Sequence, residues 1–321
     1  MNINNLTKLN EINISVLPIV DDTISIAPCV GEVGKFICVG LNYSDHVAET
    51  GMTVPKEPII FMKATSSICG PNDNIIIPKN STKTDWEVEL GVIIGKEAKY
   101  ISIDTETCDP NLKTHGPGGV RNDGHLAGIS IATDNGVNDY YPVGHQTGNL
   151  NKEKVKDLML EIFKSKKTLI FANALYDLEW LMTLDSKLKV DQNGRVYDIQ
   201  IIEPLLDENN RKYSLNNLSQ KYLREEKYEE QINMEVSNRF GKRAKVKENL
   251  WKLHPSYVRG YAMEDARLTL EVFKKQMARV KSDKIEDIVE FENKLIPLLL
   301  DMRLKGVRVA QDRAETLYIK L

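Results

Sequence analysis

The hydrophobic pattern changes character near residue 100, and this change restricts the chain to two differently built parts. Before it, the chain reads as short strands and turns. Lys35–Val39 (KFICV), Ile59–Met62 and Asn74–Ile77 are apolar runs bounded by Gly, Pro and Asn. Trp86–Ile94 (WEVELGVII) alternates and then turns fully apolar, as a strand entering a core does. Beyond residue 100, longer helices alternate with strands. Tyr100–Glu106 (YISIDTE) predicts a strand with Ile101 and Ile103 on one face. His125–Ala132 and Asp139–Val143 predict the next two, with Asp134–Asn135–Gly136 as the hairpin turn between them. Helical spacing covers Lys152–Ser165, with Asn151 placed to cap it, and a helix Ala174–Leu184 follows a buried strand Thr168–Ala172. Ser214–Leu223 opens on a serine cap, and Val258–Val280 and Ile285–Leu304 predict long helices, the second ended by Gly306. A strand meander followed by alternating helices and strands implies an α/β layer fold.

Charge divides at the same place. Residues 1–98 hold seven Lys, no Arg and twelve acidic residues, for a net −5, whereas residues 99–321 carry +2. The total of −3 excludes a strongly basic nucleic-acid coat but leaves room for a local patch. With 41% hydrophobic and 28% charged residues over 321 positions, the composition is that of an ordinary globular chain of about two domains. No apolar run reaches the roughly 18 residues a membrane helix needs, so no membrane partner is expected. Residues 1–20 lack the basic-then-apolar order of a secretory signal, so a cytoplasmic setting is expected. Cys29, Cys38, Cys69 and Cys108 are scattered without a CxxC pair, which argues against a structural zinc site or a disulfide framework.

Three groups of residues carry chemistry. Asp104 and Glu106 sit two apart on a strand, which puts both side chains on one face with Cβ atoms roughly 7 Å apart. Such a pair can hold a hard divalent cation, or it is simply a solvated strand end. Asn173-Ala-Leu-Tyr176-Asp177 begins where a strand ends and a helix starts, the usual place for a site in an α/β fold. Its plain reading is that Asn173 caps the helix and Asp177 faces the helix dipole. Tyr261 and Asp265 are i and i+4 on a helix and share a face, while Glu264 points elsewhere. Their plain reading is a half-buried aromatic and a carboxylate paired with a base.

A strand D-x-E, then N-x-x-[FY]-D after a later strand, then Y-x-x-x-D on a late helix, in this order, resembles the proofreading 3′–5′ exonuclease domain of family A DNA polymerases. This is the DEDDy branch of the ribonuclease-H-like exonucleases. Asp123–Thr133 (DGHLAGISIAT), Phe171–Leu181, Tyr197–Asn209 (YDIQIIEPLLDEN) and Tyr213–Leu223 resemble it too. The resemblance implies a ribonuclease-H-like α/β fold, a mixed central sheet flanked by helices, over residues 99–288. Phe291–Ala314 resembles the entry into a polymerase domain, so residues 289–321 are expected to be its truncated start. Polymerase carboxylates are missing, so DNA synthesis is not expected of this chain. By the same resemblance, two divalent ions (Mg²⁺ or Mn²⁺) would be held by Asp104, Glu106, Asp177 and Asp265. Asp104 would bridge both ions, Glu106 and Asp265 would complete the water-activating site, and Asp177 would hold the second ion through water. Tyr261 would orient the attacking water. The partner would be DNA, single-stranded or frayed at its 3′ end, in a bacterial or phage-type replication setting alongside the missing polymerase domain. Asn173 would bind substrate, and Leu112, Tyr176 or Phe171 would stack on terminal bases. The stretch Arg239–Lys247 (RFGKRAKVK), with Arg239, Lys242 and Arg243, would contact phosphates, unless it is a solvated loop.

Residues 1–98 carry a second resemblance. Gly40–Glu49 (GLNYSDHVAE), Glu57–Lys63 (EPIIFMK) and Asp85–Lys96 (DWEVELGVIIGK) resemble the N-terminal part of the fumarylacetoacetate hydrolase family. That family cleaves or decarboxylates β-dicarbonyl acids with Mg²⁺ or Mn²⁺. The match would make Glu87 and Glu89 metal ligands and His46 and Glu49 a base and its partner. The family's third ligand, an Asp on a later strand, has no counterpart in the same surroundings, although Asp134 lies at a loosely similar distance. These residues are therefore expected to form a partial, mostly β and inactive segment. The alternatives to the exonuclease are a β-dicarbonyl acid hydrolase or decarboxylase in the N-terminal part, and a catalytically silent nucleic-acid-binding fragment.

Overall fold

The computed structural model describes residues 24–31, 33–95, 97–190, 195–227 and 229–320. The segment read above for a leader, and Lys96, lie outside the described residues. The chain divides into two compact units, Met1–Lys96 and Glu97–Leu321.

In the first unit, strand β1 (Phe36–Gly40) pairs antiparallel with β2 (Ile59–Lys63), Phe36 opposite Lys63. Helix α1 (Ser44–Thr50) lies between them in sequence, buries Val47 and ends on Gly51 at φ +66°, a left-handed position glycine accepts without strain. Every residue of β2 is exposed. The strands expected at Asn74–Ile77 and Trp86–Ile94 do not form. Trp86, Val88 and Leu90 stand 81%, 81% and 80% exposed. Alternation tells a strand which side chains share a face, but only a neighbouring strand satisfies its backbone groups. Neither stretch has one among the described residues.

In the second unit, the order β5-β4-β3-β6-β7 puts β3 (Tyr100–Cys108) at the centre. It pairs antiparallel with β4 (His125–Thr133), which pairs antiparallel with β5 (Asn138–Pro142). On its other edge it pairs parallel with β6 (Thr168–Phe171), and β6 pairs parallel with β7 (Val196–Asp198). Asp134 caps this sheet: its carboxylate accepts the Lys99 and Tyr100 N–H groups at 2.8 and 3.0 Å, so it is no remote metal ligand. Helices α2 (Leu112–His115), α3 (Lys152–Lys164), α4 (Ala174–Leu184), α5 (Ile199–Leu206), α6 (Leu215–Leu223), α7 (Glu230–Phe240) and α8 (Val246–Asn249) follow, then the 29-residue α9 (Pro255–Asp283).

Strand alternation splits the core into two layers. Leu169 and Phe171 of β6 pack with Ile101 and Ile103 against Met159 of α3 and Leu178 and Leu181 of α4. Ile170 points the other way, to Ile199 and Ile202 of α5, Leu218 of α6 and Ala266 and Phe273 of α9. The result is a mixed sheet with helices on both faces, as the resemblance implied. The expected helix Ile285–Leu304 is instead two, α10 (Glu286–Asn293) and α11 (Ile296–Lys305), because Pro297 lacks the N–H that would continue the ladder and so sits in a new first turn. Ile296 and Leu300 complete the first core layer. Helix α12 (Gln311–Lys320) follows.

Candidate active site

The central strand builds the site. With Ile103 facing one core layer, Asp104 and Glu106 face the opposite side of the sheet, toward α9. There Asp265, one turn beyond Tyr261, completes a group: Asp104, Glu106 and Asp265 each offer an oxygen, all within 4.8 Å of one another. Glu106 is 7% and Asp265 5% exposed, while Asp104 is half-buried. Glu106 Oε1 and Asp265 Oδ1 are buried without a hydrogen-bond partner. Burying such oxygens unpaired is costly, and a cation bound by oxygen ligands removes the cost, so the donor set fits a hard divalent metal.

Electrostatics says the same. Burial, then the charge of Asp265, pushes the Asp104 carboxyl up to about 8. Burial followed by Asp104 and Asp265 holds Glu106 well above the usual range. Burial lifts Asp265 to about 6 even against the pull of Lys227. The Lys227 ammonium lies 2.5 Å from Asp265 Oδ2, 3.7 Å from Glu229 Oε1 and 5.0 Å above the centre of the Tyr261 ring. Burial, then Glu106, keeps the Tyr261 hydroxyl protonated far above its ordinary value.

Asp177 stands outside the group of three. It is turned to Thr105, whose N–H and hydroxyl donate to Asp177 Oδ1 at 2.9 and 2.7 Å. It remains near enough that the charge of Asp104, after burial, raises its carboxyl. Asn173 does not cap α4 with its side chain. Its backbone is left-handed at φ +81°, and Asp198 supplies the cap, accepting the N–H groups of Asn173 and Ala174 at 3.1 and 2.7 Å. Asp198 also caps α5 through Gln200 N–H at 2.8 Å. The sequence reading passed over it, although an Asp between a strand and a helix is the usual signal. Phe171 is fully buried and cannot stack on a base. Tyr176 is half-buried with its hydroxyl 2.7 Å from Thr107 Oγ1, and Leu112 is half-buried on α2. Arg239 pairs with Glu235 and lies 4.7 Å above the Tyr257 ring. Lys242 and Arg243 are exposed beyond α7, and Lys247, from the same basic stretch, lies close enough to draw down the Asp104, Glu106 and Asp265 carboxyls. Lys227 carried no signal in the sequence, because it belongs to no motif.

The acids of the first unit are placed differently. Glu87 and Glu89 are exposed on a segment that is not a strand and join no metal-binding group among the described residues. His46 Nδ1 and Glu49 Oε2 lie 3.8 Å apart on exposed faces of α1.

Comparison with known proteins returns both halves. A family model described as 3′–5′ exonuclease matches residues 83–281, and one described as fumarylacetoacetate (FAA) hydrolase C-terminal matches residues 35–107. A Burkholderia ambifaria protein named as a hydrolase is 64% identical over 96 residues, 30% of this chain and 34% of that protein. A Burkholderia cenocepacia counterpart is 63% identical over the same length. The chain thus spans about a third of the length of these curated relatives. Among solved structures, NrnC of Brucella melitensis is 16% identical, with 65% of this chain and 87% of that one covered and a TM-score of 0.47. The RNase D–GMP complex of Trypanosoma brucei is 14% identical over 61% and 58%, with a TM-score of 0.41.

Proposed function

The chain belongs to the 3′–5′ exonuclease family, and on that premise we propose that it hydrolyses phosphodiester bonds at the 3′ end of single-stranded or frayed DNA, releasing mononucleotides. The observation that carries this reading is the buried group Asp104, Glu106 and Asp265, with two of its oxygens unpaired. These residues would hold divalent cations, Mg²⁺ or Mn²⁺, whose chemistry is to lower the pKa of a water and neutralise charge on the phosphate. Asp177, fixed by Thr105, serves the same site from α4. The buried, protonated Tyr261 hydroxyl can donate to and orient a water beside Glu106. Lys242, Arg243 and Lys247 offer a basic approach for the strand's phosphates. The first unit, whose acid pair is exposed, is proposed to add no activity of its own.

The test is a 5′-labelled single-stranded DNA, and an RNA of the same sequence, incubated with the protein and Mg²⁺ or Mn²⁺. Shortening of the DNA from its 3′ end with mononucleotide release is expected. Shortening of RNA alone would replace the substrate class, and no shortening of either would overturn the reading.

A further inference from the structure

We propose that Lys227 is a resident cation of this site: its ammonium pairs with Asp265, one of the three carboxylates, in the metal-free protein and is displaced when metal binds. The inference rests on the metal-binding reading above. Lys227 is 14% exposed, so its charge is largely withdrawn from water, and its nearest partner is Asp265 Oδ2 at 2.5 Å. Asp265 belongs to the group whose oxygens lie within 4.8 Å of one another, so the ammonium pairs with a carboxylate that a metal would use. The Tyr261 ring, with its centroid 5.0 Å from Nζ, favours a cation at its face. The backbone is tied separately: Lys227 N–H donates to Asn216 Oδ1 of α6 at 3.1 Å. The side chain can therefore move while the Lys227 backbone stays tied to α6. Glu229, 3.7 Å from Nζ, gives the ammonium a second carboxylate, 46% exposed, to turn toward. A charge of +1 beside a bound dication repels it, and in a site withdrawn from water that repulsion is little screened. Lys227 must move away or weaken the metal.

Two measurements test this. Titration of the protein with Mn²⁺ at fixed pH compares wild type, Lys227→Met and Lys227→Arg. Lys227→Met is expected to bind Mn²⁺ on the order of tenfold more tightly than wild type, with Lys227→Arg close to wild type. Separately, amine acetylation of the wild type, read residue by residue by mass spectrometry, is expected to rise several-fold at Lys227 when Mn²⁺ is added. Equal or weaker binding by Lys227→Met, or unchanged labelling of Lys227, overturns the inference while leaving the metal site standing. If Lys227→Met fails to fold, the labelling of wild type decides alone. No Mn²⁺ bound by any of the three proteins removes the metal site and this inference together.

Discussion

Glu87 and Glu89 in the first unit and Asp104 and Glu106 in the second share one arrangement, two acids separated by one residue on an alternating run. Their surroundings are opposite. β3 is paired on both edges, by β4 and β6, and packed on both faces, so its acids become a buried group facing α9. The run from Trp86 to Ile94 has no strand partner among the described residues and leaves Ile94 86% exposed. The local sequence of the first unit is no poorer, since a family model matches it from residue 35 onward. What differs is the presence of distant partners. Sheet pairing is non-local, and Asp104 and Glu106 come together with Asp265 only because distant strands and α9 pack around β3.

The largest expected effect that would break this contrast is on catalysis. Asp104→Ala or Asp265→Ala should lower exonuclease turnover by on the order of a thousandfold or more, since each removes a charged oxygen donor from the site. Residual turnover above a tenth of wild type would sink the assignment. Tyr261→Phe should cost less, about tenfold to a hundredfold, because the carboxylates stay in place. A loss as large as that of Asp104→Ala would give the hydroxyl a greater part.

Stability should separate the units next. Phe171→Ala, in the core of the second unit, should destabilise it by about 3–5 kcal/mol in denaturant unfolding. Trp86→Ala, at a side chain 81% exposed, should stay within about 0.5 kcal/mol. Comparable losses would mean that Trp86 is packed after all.

A smaller effect is on pH. Asp104 and Asp265 titrate at about 8 and about 6 in the folded protein, above the ordinary 3.8. The folded state therefore holds protons that the unfolded state has lost. Their contribution is full below pH about 4 and is lost as pH rises through 6 and then 8. The melting temperature of the metal-free protein should fall between pH 5 and pH 8.5, and Mn²⁺ should restore it at the upper end. A flat metal-free profile, or one that Mn²⁺ leaves unchanged, would count against the buried group.

Much of the second unit was legible because its signals are local. The Asn151 and Ser214 caps accept N–H groups from Lys154 and Asn217 as their positions imply, and the β4–β5 turn falls at Asp134–Gly136. Period-two alternation placed Asp104 and Glu106 on one face, and the i, i+4 spacing did so for Tyr261 and Asp265. The misreadings arose where distant contacts decide. Asp198, from β7, caps α4 in place of Asn173. Lys227 enters the site from a segment with no motif. Pro297 was a local signal that the helical apolar spacing overrode.

The most direct test pairs the two acid motifs in one assay. The double variants Asp104→Ala/Glu106→Ala and Glu87→Ala/Glu89→Ala are compared with wild type on 5′-labelled single-stranded DNA in Mg²⁺. The expected result is 3′ shortening by wild type and by the Glu87/Glu89 variant at equal rates, and none by the Asp104/Glu106 variant. Shortening that survives the loss of Asp104 and Glu106, or that disappears with Glu87 and Glu89, would contradict the account.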